Sequence, residues 1–146
     1  MGEITHYDII GDVHGQLDTL EALLAQLGYR KEQHSWQQQG HVAVFVGDII
    51  DKGPFPGAVL RLVRQMVDTG HARMVVGNHE LNWVRDAYQH QRNPRDFIQA
   101  TRQHPDRRRL VEEFAAEENG LALLLEHFQW LRTQPLFLEL EQCRVV

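Results

Sequence analysis

Three short phrases hold most of the side chains in this sequence that could do chemistry together. They are Gly11-Asp12-Val13-His14-Gly15, Gly47-Asp48-Ile49-Ile50-Asp51-Lys52-Gly53 and Gly77-Asn78-His79-Glu80. Each sets carboxylate, imidazole or amide groups directly after a glycine. Those donors form a set of mixed hardness, which suits Mn, Fe or Zn better than a calcium cage or a thiolate zinc site. Carboxylates gathered at neutral pH repel one another unless cations compensate. The phrases therefore predict a site for divalent metal ions, provided the fold brings them together.

The elements that must do this are legible around them. Each phrase follows an apolar, Val- and Ile-rich run, at residues 7–10, 41–46 and 72–76. Such runs with little alternation predict strands covered on both faces. Between them, Leu17, Leu20, Leu23, Leu24 and Leu27 form a helical stripe ending at Gly28. Pro56 opens a second helix, with Val59, Leu62, Val63 and Met66 inward as far as Gly70. A third helix starts near Glu80, with Leu81, Val84 and Tyr88 expected inward. Strand–helix alternation predicts an α/β fold with a β-α-β-α-β parallel sheet core and right-handed crossovers. Ligands of such sheets bind at the carboxyl ends of the strands. Asp48 follows Asp12 by 36 positions and Asn78 follows Asp48 by 30, each about one strand–helix repeat.

The second part of the chain reads as a helical segment. Residues 89–107 are polar and Arg-rich and predict loop or irregular helix. Residues 110–118 and 121–131 predict helices, and 136–140 and 143–146 predict strands. Six arginines between 92 and 109 stand against two aspartates. Arg108 and Arg109 precede Glu112 and Glu113 by four, the spacing of solvated helix pairs, and that reading is preferred to a phosphate-binding surface. His6, His34, His90, His104 and His127 are expected at the surface or as caps. Trp36, Trp83 and Trp130 are expected in packing.

Composition bounds the rest. The 146 residues, 42% hydrophobic and 24% charged, predict a single domain over 1–146. The lone Cys143 excludes an internal disulfide and fits a reducing cytoplasm. No apolar run reaches the roughly 18 residues of a membrane span. A net charge of −5 argues against general nucleic-acid binding. Oligomeric state is left open.

The set GDVHG, GDIIDKG and GNHE resembles the phosphoprotein-phosphatase branch of the calcineurin-like metallophosphoesterases, closely over residues 7–88 and loosely over 136–146. The resemblance implies a β-sandwich flanked by helices, two divalent metals, and hydrolysis of a phosphate ester by a metal-activated water. Asp12 and His14 would bind the first metal, Asp48 would bridge both, and Asn78 would bind the second and contact substrate. His79 would be the general acid, oriented by Asp51. Lys52 stands where the family usually has a phosphate-clamping Arg, and keeps the charge without the bidentate fork. The family also takes two later histidines for the second metal, which this chain lacks. That implies a chain incomplete at its C-terminal end. Gly40-His41 and Gly70-His71 precede their strands and should lie at the wrong end of the sheet.

The implied partner is a phosphorylated substrate, protein or nucleotide. Glu80 after His79 leans towards the protein-phosphatase side, since bacterial dinucleoside tetraphosphatases usually carry Asp there. A dinucleoside polyphosphate or nucleotide is the alternative substrate. A non-catalytic metal- or phosphate-binding module, lacking the second metal's histidines, is the alternative function.

Overall fold

A computed structural model describes residues 2–89 and 93–146; His90 and Arg92, named above, lie outside the described residues. The elements run β1 (His6–Ile10), α1 (Leu17–Gln26), β2 (Arg30–Glu32), β3 (Ser35–Gln37), β4 (His41–Phe45), α2 (Pro56–Asp68), β5 (Ala72–Met74) and α3 (Asn78–Gln89). They continue with α4 (Pro94–Arg102), α5 (Arg108–Ala115), α6 (Gly120–Arg132), β6 (Leu138–Glu139) and β7 (Arg144–Val145). The architecture is α/β, as expected.

Strands β1, β4 and β5 form one parallel sheet in the order β1-β4-β5. The register pairs His6 with His41 and Ile10 with Phe45, so β1 and β4 end level. Val42, Ala43, Val44 and Phe45 are all buried, which identifies β4 as the central strand. One face of the sheet, through Ile10, Ala43, Phe45, Ala72 and Met74, packs on the helices. The other, through Val44 and Val75, is met by Val145 and Leu138 of the antiparallel β6–β7 pair and by Leu140 just after β6. The expectation that all three strands are covered on both faces fails at β1, and at β5 the second-face residue Arg73 is also exposed. Ile9 is 52% exposed, because it lies on the sheet's second face at its edge, where no described element covers it.

On the helical side, α2 contributes Val59, Leu60, Val63 and Met66, and α1 contributes Leu20 and Leu24. Trp83 of α3, Phe97 of α4 and Phe128 of α6 meet in one aromatic cluster, with Trp83 stacked 4.9 Å from Phe128 and edge-on to Phe97 at 5.9 Å. Aromatic pairs of this kind add about 0.5–1.5 kcal/mol each beyond their buried area. This cluster orders the region read as loop or irregular helix, and makes residues 94–102 a regular helix.

Three expectations are corrected. In α3, Leu81 and Tyr88 are exposed, at 45% and 57%, and the residues turned inward are Glu80 and Trp83. Polar demand from the neighbouring loops decides that face. His127 is buried rather than at the surface, with its Nδ1 3.2 Å from Arg64 Nη1 and its ring edge-on to Phe114. Of the two arginine–glutamate pairs, Arg108–Glu112 forms at 3.2 Å, whereas Glu113 turns inward and accepts the N–H groups of Gly57 and Ala58 at the head of α2.

Candidate active site

The three glycine-led phrases meet at the carboxyl ends of β1, β4 and β5. Backbone bonds join the first two: the N–H groups of Val13 and His14 donate to Asp48 O, and Gly15 N–H donates to Ile49 O. Gly47 has φ +93°, and a Cβ there would collide with the backbone of Gly77. Glycine is required because the second and third phrases touch backbone to backbone.

One ligand atom from each of His14, Asp48 and His79 falls within 4.8 Å of the others. Asp12 Oδ2 lies 3.7 Å from His14 Nε2. Two ligands of one ion at roughly 2.1 Å sit at most about 4.2 Å apart, so Asp12 and His14 are spaced to share a cation. The two imidazoles lie edge to face, with centroids 4.8 Å apart.

Each imidazole has its Nδ1 fixed by the protein. His14 Nδ1–H donates to Ile50 O at 2.9 Å, and His79 Nδ1–H donates to Asp51 Oδ2 at 2.9 Å. Both rings are thereby left with Nε2 as the atom available to a ligand or a proton, the arrangement that orients metal-site histidines. Asp51 is 1% exposed, and its other oxygen accepts the Trp83 indole N–H at 2.7 Å. Trp83 is covered by the Arg107 guanidinium, 5.1 Å from the ring, which also donates to Asp86. The Arg-rich stretch therefore buttresses the site through Trp83, and Lys52 N–H donates to Asp106 O beside it.

Asp48 Oδ1 accepts the His79 backbone N–H at 3.0 Å, at the head of α3. A carboxylate there is favoured by the free N–H groups and the positive end of the helix dipole. His14, Asp48, Asp51 and Lys52 all have positive φ, between 45° and 70°. Such conformations are uncommon outside glycine and cluster at functional sites.

The structure thus gathers Asp12, His14, Asp48, His79 and Asp51. Asn78 is exposed as the first residue of α3, and Lys52 is exposed on its loop. His41 is at the other end of β4, bonded to Asp8 Oδ2 at 2.9 Å. The residue missed by sequence reasoning is Glu80, fully buried, which binds the backbone of both later phrases. Burial raises its carboxyl above the ordinary range, opposed by N–H bonds from Asp48, Ile50 and Ile49. Its signal was a charged residue sharing a helix face with Trp83.

Comparisons with known proteins find relatives of the chain as a whole. A family model described as calcineurin-like phosphoesterase matches residues 5–140. The asymmetrical bis(5'-nucleosyl)-tetraphosphatase PrpE of Halalkalibacterium halodurans is 46% identical over 74 residues, covering 50% of this chain and 30% of that protein. The symmetrical bis(5'-nucleosyl)-tetraphosphatase of Hamiltonella defensa is 35% identical over 131 residues, covering 88% of this chain and 38% of that protein. A crystal structure of a metallophosphoesterase from Sphaerobacter thermophilus superposes with a TM-score of 0.54 at 26% identity, covering 94% of this chain and 44% of that one. The chain spans about a third of the length of the curated relatives it matches.

Proposed function

Since the chain belongs to the calcineurin-like phosphoesterase family, we propose that it is a metal-dependent hydrolase of phosphate esters, acting on dinucleoside polyphosphates or related nucleotides. The observation that carries this reading is the convergence of His14, Asp48 and His79 ligand atoms within 4.8 Å at three strand ends. The nucleotide substrate class, in preference to a phosphoprotein, is supported by the names of the relatives.

Asp12 and His14 would hold one divalent cation, Asp48 would be shared with a second, and Asn78 would complete what this chain offers that second ion. Mn, Fe or Zn fits these donors. When bound, such cations neutralise phosphate charge and make water nucleophilic at neutral pH. The protein's own contribution is orientation and proton supply. Asp51, held by Trp83, keeps His79 Nδ1 protonated and its Nε2 turned to the site. From there Nε2–H can donate to the departing ester oxygen, and a carboxylate partner stabilises the imidazolium that precedes transfer. Lys52 supplies a single positive charge to the phosphate without a bidentate grip. A cytoplasmic setting fits the single, exposed Cys143.

The test is hydrolysis of p-nitrophenyl phosphate and of diadenosine tetraphosphate with added Mn²⁺, beside an EDTA control and Asp48→Asn. Turnover lost in both controls is the expected result. Turnover that survives EDTA and Asp48→Asn would refute the assignment, and none under any condition would favour a binding module.

A further inference from the structure

The Glu80 carboxylate is the most heavily bonded side chain in the described structure that has no assigned role. Its Oε2 accepts the N–H groups of Asp48 at 2.7 Å and Gly77 at 3.0 Å. Its Oε1 accepts those of Ile49 at 2.8 Å and Ile50 at 3.3 Å. Three of these donors are consecutive, in a segment that begins with Asp48 at φ +51°. Successive N–H groups in a left-handed turn converge into a concavity for an anion. Here the anion is an internal carboxylate.

We infer that Glu80 is a positioning residue for the metal site: its carboxylate holds the Asp48 turn in its left-handed form and locks it to the head of α3. The role rests on the functional reading above. The locking is mutual. Glu80 in α3 grips the backbone of the Asp48 turn, while the Asp48 side chain grips the His79 N–H of α3. The Gly47–Gly77 contact brings the two backbones close enough for one carboxylate to serve both. With its backbone N–H and Oδ1 both held, Asp48 presents its side chain in a single orientation. That order is set before any ligand arrives, which is how neighbours of metal ligands raise affinity.

A plainly structural role is the competing account, and Glu113 is its internal control. It too is a carboxylate that bridges elements through backbone N–H groups, though only part-buried and with two donors, Gly57 and Ala58, at the head of α2. Glu80→Gln keeps the length of the side chain and turns an NH₂ group towards donors, so at least one turn amide loses its acceptor. The experiment compares the unaltered chain with Glu80→Gln, Glu113→Gln and Asp48→Asn. It reads Mn²⁺ affinity by titration calorimetry, hydrogen exchange at the amides of residues 48–50, and Tm.

The expected result is a roughly 10–100-fold loss of Mn²⁺ affinity in Glu80→Gln, with faster exchange at 48–50. Glu113→Gln should lower Tm while leaving Mn²⁺ affinity unchanged. If Glu80→Gln fails to fold, Glu80→Asp keeps the charge but withdraws it from the turn, and the same loss is expected. Undiminished affinity in a folded Glu80 variant overturns this role alone, as does an equal loss in Glu113→Gln. An unaltered chain that binds no Mn²⁺, or binds it as well with Asp48→Asn, overturns the functional reading and this role with it.

Discussion

His79 is the side chain on which the proposed chemistry turns, and its surroundings separate two roles that one imidazole could fill. Its Nδ1–H is spent on Asp51, and its Nε2 faces the volume shared with His14 and Asp48. If His79 is the proposed acid, it would be dispensable for holding metal but not for expelling the leaving oxygen. His79→Asn should therefore lower kcat by about 10²–10⁴-fold, while Mn²⁺ affinity measured by calorimetry stays within about threefold; a parallel loss of both would make His79 a ligand instead. A second histidine reports on stability. His127 is held down to about pH 4, first by burial and then by the charges of Arg64 and Arg61. Its unfolded value is near 6.5, so the unfolded chain binds the extra proton in between. The stability it contributes is complete above about pH 6.5 and is lost as pH falls towards 4. Discounted for partial solvent access, the loss is about 2 kcal/mol. Urea midpoints at pH 7 and 4.5 should fall further for the unaltered chain than for His127→Gln, in which that proton has nowhere to go.

At the level of elements, Trp83 ties α3 to both the core and the site. Trp83→Phe preserves the stack on Phe128 but removes the indole N–H from Asp51 Oδ1, leaving a buried carboxylate oxygen short of a donor. The expected cost is about 1–3 kcal/mol in denaturant unfolding; a variant as stable as the original would show that the bond contributes nothing net. This helix also marks where the sequence could and could not be read. Strands β1, β4 and β5, helices α1 and α2, and the convergence of Asp12, His14 and Asp48 followed from the apolar patterns and the glycines that close them. The inward face of α3 did not, because periodicity assigns apolar residues to the interior and here Glu80 goes inside to meet backbone donors. The β2–β3 hairpin was missed for a different reason. Its turn residues Gln33 and His34 adopt positive φ of 49° and 75°, the conformation normally announced by Asn-Gly. Helix α4 was obscured by its polar composition, since Phe97 is its one buried apolar residue among the described residues, alongside the buried Thr101.

Across the whole molecule, the sheet divides a well-filled side from a thinly covered one. Phe45, fully buried among the helices, and Ile9, 52% exposed on the other face, sit one strand apart. Phe45→Ala should cost about 3–5 kcal/mol, whereas Ile9→Thr should stay within about 0.5 kcal/mol. Equal effects in thermal unfolding would mean that the second face is no less essential to the core than the first. The left-handed residues at 14, 48, 51 and 52 have a further consequence for how such a chain can change. Each conformation costs of order 1–3 kcal/mol that glycine would largely spare, yet at three of these positions the side chain makes the site's own contacts. A population of variants selected only for heat resistance would therefore drift towards glycine there and become steadily sturdier while its chemistry went silent. Lys52, the one position of the four whose side chain is not committed to a bond within the described structure, should be the first to go, and its replacement would record how far selection for durability had outrun selection for turnover.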